Sequence, residues 1–384
     1  MHCDRSRPAL GLGSFFALFL QRCAVRPLFH ASLVNGRFGD PALYVETQFE
    51  ARAALFDLGD IATLPPRKIL KIEHVFVSHM HIDHFIGFDH LLQLNVGREK
   101  EINLYGPQGF IDCVNHKLQA YCWNLADRYE CDLLLRVTEI TTTLEWRRAL
   151  FRLKTAFARE ETAAGRIADG IILNEPNFQV SATLLEHRTP CLGYAVKEAA
   201  HLNVWKTRLA ALNLPVGAWL RELKHAIVTG MGDDYPVQVP DGTARPLGAL
   251  RDAVTITEGQ KIGYVTDVAG TAANRRAIVS LVRDADILFI EAAFSDADKA
   301  LAVERAHLTT REAGEIARTA HARRVEPFHF SPRYSGEEAR MLLEVARAFR
   351  GHAANEELPT RSTHEAPESL SDHLAVSDSP RGEE

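Results

Sequence analysis

The chain has 384 residues, 46% hydrophobic and 24% charged, an ordinary globular composition that excludes a fibrous or low-complexity protein. Its formal charge of −6 sits in one place: residues 352–384 carry eight acids and two bases, so the body is near neutral and neither demands nor forbids a polyanionic partner. The six cysteines include no CxxC pair, which argues against a disulfide framework and makes a reducing cytoplasm the expected compartment.

Residues 1–25 are expected to be an N-terminal extension or the product of a start assigned too early, with Val25 a candidate true start. The apolar run 9–20 is too short to span a bilayer comfortably, and no small-x-small cleavage pattern follows it. Export is the lesser alternative, and no membrane partner is expected. Residues 42–60 show two β runs separated by the polar turn TQFEAR. HVFVSH (74–79) is a short buried strand, and FIGFDHLLQLNV after it has helical spacing, with Phe85, Phe88, Leu91 and Leu92 on one side. INLYGP (102–107) is a strand stopped by Gly-Pro, and residues 109–125 suit a helix. Residues 145–166 are basic, then acidic, and look like an insertion. Their first part, EWRRALFRLK, is expected as a solvated helix face rather than an RNA contact. QVSATLLEH (179–187) alternates as a strand does. KIGYVTD (261–267) and DILFIEAAF (286–294) are strands flanking a helix. Thr309 and Glu312 form a capping pattern for the next helix, and RVEPFHF (324–330) is the last strand. Strands interleaved with helices predict mixed sheets covered by helices. The acidic stretch 351–384, rich in Ser, Pro and Ala, is expected to be a disordered tail.

SHMHIDH concentrates metal-binding side chains directly after the strand that ends near Ser78. His79 and His81 are two residues apart, so an extended backbone points both the same way. Asp83 and His84 follow where the chain turns into a helix. Imidazole and carboxylate together suit Zn²⁺ or Mn²⁺. Two offset pairs suit two metals better than one, and a two-metal site can steady both oxygens of a displaced phosphate or ester.

This stretch resembles the HxHxDH motif of the metallo-β-lactamase superfamily. Further segments resemble the rest of that family's ligand set, in order: LFDLGD with Asp57, LLEHRTPCLGYAV with His187, GYVTDVAG with Asp267 and EPFHFSPRY with His329. Within the superfamily the chain is most similar to ribonuclease Z. The likeness is carried also by LYGPQGF, by DADILFIEAAF followed by AHLTTREAGEIA, and by FHFSPRYSG, and it runs from about residue 26 to 350.

The resemblance implies an α/β protein with the metallo-β-lactamase fold, a four-layer αββα sandwich of two mixed β-sheets flanked by helices. It implies one hydrolase domain over 26–350 and an inserted basic arm at about 197–245. It also implies two zinc ions. His79, His81 and His187 with Asp267 would hold one, and Asp83, His84 and His329 with Asp267 the other. Asp57 would orient a ligand through a hydrogen bond. Asp83 would serve as base and His307 would protonate the leaving 3′ oxygen or steady its charge, while Arg333 and Tyr334 could meet phosphate. The implied activity is removal of the 3′ trailer from precursor tRNA by a homodimer; the alternative is a related metallo-hydrolase of small phosphodiesters, sulfate esters or lactones.

Between residues 197 and 230 five bases face two acids, with Trp205 and Trp219 interleaved. In ribonuclease Z this interval carries an arm that grips tRNA, so Lys206, Arg208, Arg221 and Lys224 are candidate backbone contacts; a solvated amphipathic helix pair is the other reading. The sequence departs from the family at FHASLVNGRFGDP in place of an LGTG turn, at LPVGAW in place of a GP dipeptide, and at HLT in place of HST.

Overall fold

A computed structural model of the protein describes residues 28–48 and 51–351. The extension 1–25 and the tail beyond 351 therefore lie outside the described residues.

The chain first builds an eight-stranded sheet whose spatial order follows the sequence. Its strands are β1 (Phe29–Leu33), β2 (Leu43–Thr47), β3 (Ala53–Phe56), β4 (Ile72–Phe76), β5 (Lys100–Pro107), β6 (Leu133–Ile140), β7 (Glu145–Arg152) and β8 (Arg159–Arg166). The four central strands, β3 to β6, run parallel, and the flanking ones pair antiparallel. Parallel strands need crossovers, which here include helix Phe88–Asn95 and helix Phe110–Gln119.

The expected solvated helix at 145–154 is instead β7. Its exposure alternates, with Ala149 and Phe151 buried between outward residues, and β8 returns beside it. Period 2 prevailed because Ala149 and Phe151 fill the core under β6, a tertiary demand that a charge-rich segment does not advertise.

A second sheet begins with β9 (Ile171–Asn174), β10 (Phe178–Glu186) and β11 (Pro190–Glu198). The chain then leaves through β12 (His201–Val204), helices Lys206–Ala211 and Leu220–Val228, β13 (Pro236–Gln238), β14 (Ala244–Pro246), helix Leu247–Arg251 and β15 (Val254–Thr257). It returns to the sheet as β16 (Lys261–Val265), β17 (Ile287–Glu291) and β18 (Val325–Phe328), giving the order β18-β17-β16-β11-β10-β9. Lys197 pairs with Lys261 inside this sheet, so the excursion starts at β12, later than the expected boundary, and runs on to β15.

Alternation along each strand sorts side chains into three apolar layers. Phe56, Phe76 and Tyr105 point between the sheets and meet Tyr194, Tyr264 and Phe328 there. Their neighbours Leu55, Val75 and Leu104 point outward, under Phe88 and Phe110 of the first pair of helices. Val265, Leu288 and Ile290 face the other way, under Ile316 and Val345 of helices Thr310–Thr319 and Glu338–Arg350. The layers are helix, sheet, sheet, helix, as expected. The excursion has a small apolar cluster of its own around Leu209, Leu223, Val237 and Leu250.

Candidate metal centre

Six strands end at one edge of the sandwich, and each delivers a polar side chain there. Asp57 follows β3, and His79 follows β4 after Val77 and Ser78. His187 follows β10, Asp267 follows β16, Glu291 closes β17, and His329 follows β18. These are carboxyl ends of strands that run parallel within their own sheets, where open α/β sheets place ligands. Asp57 and His329 both adopt left-handed backbone, at φ 56° and 57°. A non-glycine residue there costs about 1 kcal/mol or more, so the surrounding structure must hold it. The Asp57 N–H does so by donating to the Phe76 carbonyl at 2.8 Å.

His81 caps the short helix Ile82–Phe85, which carries Asp83 and His84. That helix must lie against the Asp57 loop. Gly87, just after it, permits this: a β-carbon at 87 would stand 2.2 Å from the Gly59 carbonyl oxygen.

The hydrogen-bond network fixes which ring nitrogens face inward. Asp57 is fully buried and accepts from the Ser78 N–H at 2.6 Å, the Ser78 hydroxyl at 2.8 Å and the Tyr264 hydroxyl at 2.8 Å. His84 Nδ1 donates to the same carboxylate at 2.9 Å. Because the Ser78 hydrogen is committed to Asp57, His79 Nδ1 donates to Ser78 Oγ, 3.0 Å away. His187 Nδ1 donates to the Ala306 carbonyl at 2.8 Å. Every one of these bonds leaves Nε2 directed at Asp267. The Nε2 atoms of His79, His84 and His187 stand 3.7, 3.5 and 3.5 Å from Asp267 Oδ2, and His329 Nε2 stands 2.9 Å from Oδ1. Asp83 Oδ2 lies 3.5 Å from His84 Nε2 and 3.9 Å from His329 Nε2.

These atoms fit divalent ions. Among the described residues, buried Nε2 of His79 and of His84 has no hydrogen-bond partner, a costly arrangement unless something else binds there. Ligands about 2.0–2.1 Å from a tetrahedral ion stand about 3.3 Å apart, close to the spacings seen. One donor set comprises His79, His81, His187 and Asp267, and a second comprises Asp83, His84 and His329. Electrostatics agree. Burial, joined by the charge of His84, pushes His79 down to about 2, so it stays neutral. Burial alone would raise Asp267, but His329 and His84 hold it well below the usual carboxylate range. Burial opposes charge on His84, yet Asp267 and Asp57 raise it well above 6.5. The cluster calls for positive charge.

His307 stands beside the cluster, its ring 4.7 Å from that of His187. Its Nδ1 is 3.1 Å from Glu291, a buried carboxylate that also accepts from the Val268 N–H at 2.7 Å. Burial would lower His307, but Glu291 outweighs it and pushes it up to about 9. The sequence reading assigned no role to Glu291, Ser78 or Tyr264. The signal for Glu291 was its place at a strand end before the AHLT segment; Ser78 and Tyr264 gave none.

A cleft of about 760 Å³ opens over the cluster, with His81, Asp83, His307 and Arg333 on its walls. Tyr334 is a correction to the sequence reading. It is buried, its hydroxyl donates to Asp298, and Arg340 stacks 5.7 Å above its ring, so it supports the wall and is not presented to phosphate. In the excursion, Lys206, Arg208, Arg221 and Lys224 are all exposed. Arg208 is tied to the Asp252 carbonyl and stacks 5.5 Å over Trp205.

The fold and donor set define a metal-dependent hydrolase of the β-lactamase superfamily, and the family profile for the beta-lactamase superfamily domain matches residues 53–255 and 252–330. More narrowly, the chain belongs to the ribonuclease Z family. It is 31% identical to a ribonuclease Z of Deinococcus radiodurans over 299 residues, covering 77% of this chain and 87% of the relative. It is 29% identical to a ribonuclease Z of Lactiplantibacillus plantarum, covering 78% and 84%. Among solved structures it is similar to the short form of human tRNase Z, with 20% identity, a TM-score of 0.45, and coverage of 80% of this chain and 92% of that one.

Proposed function

We propose that this chain is an endoribonuclease that removes the 3′ trailer from precursor tRNA and works with two divalent ions, zinc or manganese. The carrying observation is the convergence of six nitrogen and carboxylate side chains around Asp267 in two neighbouring donor sets. Membership of the ribonuclease Z family supports the substrate. In this reading His79, His81 and His187 would hold one ion and Asp83, His84 and His329 the other, with the Asp267 carboxylate available to both.

When bound, such a pair supplies Lewis acidity and a strong nucleophile at neutral pH. The chain's own groups do the rest. Asp57 keeps His84 in the tautomer that offers Nε2. Asp83, at the cleft wall, takes the proton of the attacking water. His307, kept protonated by Glu291, donates to the leaving 3′ oxygen. Arg333 meets the phosphate at the rim. Lys206, Arg208, Arg221 and Lys224 hold the tRNA body away from the cut. We infer further that the protein acts as a cytoplasmic homodimer; no helix among the described residues is long and apolar enough to cross a membrane.

The test presents purified protein with precursor tRNA and with bis-p-nitrophenyl phosphate in parallel, with and without a chelator. Chelator-sensitive cutting just after the acceptor stem is expected. Turnover of the small diester alone would reject tRNA processing and leave a metallo-hydrolase of small esters.

A further inference from the structure

The segment Arg305-Ala306-His307 is anchored more firmly than its surface position suggests. Helix Lys299–Arg305 ends at Ala306 in left-handed backbone, with φ 61°. The Ala306 N–H donates to the Val303 carbonyl at 3.2 Å and the His307 N–H to the Ala302 carbonyl at 2.9 Å. The Ala306 carbonyl in turn holds His187 Nδ1 at 2.8 Å. On one side of this fixed turn stands His307. On the other stands Arg305.

Arg305, Arg188 and Arg333 all line the cleft over the donor cluster. Of the other two, Arg188 is tied to backbone and Arg333 is already assigned to the phosphate at the rim. Arg188 donates to the Glu304 carbonyl, and Arg333 lies 4.0 Å from Asp298 and 5.9 Å from the Tyr334 ring centre. Among the described residues Arg305 has neither an ion-pair nor a hydrogen-bond partner, and it is exposed. A guanidinium on a preorganised backbone, unpaired beside a site for phosphodiester chemistry, is built to meet an anion with two parallel hydrogen bonds. The cleft is also larger than one phosphate needs, at about 760 Å³.

We propose that Arg305 is a specificity-determining residue that binds an internucleotide phosphate next to the scissile one, so the cleft selects a polynucleotide over a single diester. The proposal rests on the nuclease reading above. It assigns Arg305 to substrate binding and leaves proton transfer to His307.

The test compares wild type with Arg305→Ala and Arg305→Lys on precursor tRNA and on bis-p-nitrophenyl phosphate, which has no neighbouring phosphate. In Arg305→Ala, kcat/KM on the RNA should fall about tenfold, mostly through KM, and the loss should exceed that on the small diester at least fivefold. The log–log salt dependence of RNA binding should flatten by about one for the lost phosphate contact. Arg305→Lys should restore the salt slope. Equal losses on both substrates would overturn the proposal and make Arg305 a support for the His187–Ala306 contact; bound-metal content would then fall as well. An unchanged salt slope would also overturn it. If wild type fails to cut precursor tRNA, the tRNA reading fails separately. Binding of a short single-stranded RNA then decides Arg305: a flatter slope in the alanine variant supports it, and an identical slope refutes it.

Discussion

Asp267 is the residue on which the centre depends most. Its two oxygens face four imidazoles, at 2.9 to 3.7 Å, drawn from both donor sets. Asp267→Ala should therefore remove both ions or abolish turnover, as checked by metal content and cleavage rate; normal values for both would refute the two-metal arrangement. At this scale the sequence was most legible. HxHxDH is local, so its geometry follows from strand and turn spacing alone. Asp57, His187, Asp267 and His329 became candidates through the family resemblance, each at the end of an apolar run. The supports were hidden for a physical reason. Ser78 and Tyr264 reach Asp57 only because a helix-side turn and a strand of the other sheet are brought together, and neither residue type is unusual in a strand. Tyr334 shows the converse: a polar residue beside a ligand can have its hydroxyl fully used by the wall it stands in.

Among the elements, the excursion from β12 to β15 is the part best placed to act alone. Its apolar residues Leu209, Leu223, Val237 and Leu250 pack on one another, so its exposed bases can be altered without disturbing the sandwich. Replacing Lys206, Arg208 and Arg221 together by alanine should weaken tRNA binding strongly, flatten its salt slope by about two to three, and affect hydrolysis of a small phosphodiester much less. Equal loss on both substrates would rule out a separate gripping element. Segment type was legible where period and capping agreed. The Thr309–Glu312 capping box is present, with the Thr309 N–H donating to Glu312 Oε2 at 3.0 Å. It failed at β7, where arginines alternate with core residues and local charge masked the period. The β18 edge of the second sheet shows another control: Pro327 brings no N–H to β18, and Arg37 donates to its carbonyl oxygen, which blunts the edge against a further strand.

The whole molecule places a histidine where a sandwich does not tolerate charge. His74 lies between the sheets, stacked at 6.2 Å on Phe76 and 6.4 Å on Tyr105, and neither ring nitrogen has a hydrogen-bond partner among the described residues. Burial, reinforced by Arg52, pushes it down to about 4. In the unfolded chain it titrates near 6.5, so above that pH both states are neutral and stability is complete. As pH falls from about 6.5 to 4 only the unfolded chain takes the proton, and stability is lost over that window, by up to about 3 kcal/mol. Urea unfolding across this range should show His74→Phe gaining on wild type by a similar amount toward pH 4. A constant difference between the two would remove His74 as the cause.

The donors to Asp267 have a consequence for how the molecule comes into being. Some of these side chains follow strands of the first sheet, namely His79, His81, Asp83 and His84, and the others follow strands of the second, namely His187 and His329. Neither half holds a complete set. The set of His79, His81, His187 and Asp267 is complete only once β16 lies in the second sheet, and the set with His329 only once β18, near the far end of the described chain, has docked. Contacts of such long sequence separation form late and slowly. An ion held by donors from both sheets would bind the folded chain and not the unfolded one, so it would add to stability by mass action and oppose separation of the sheets.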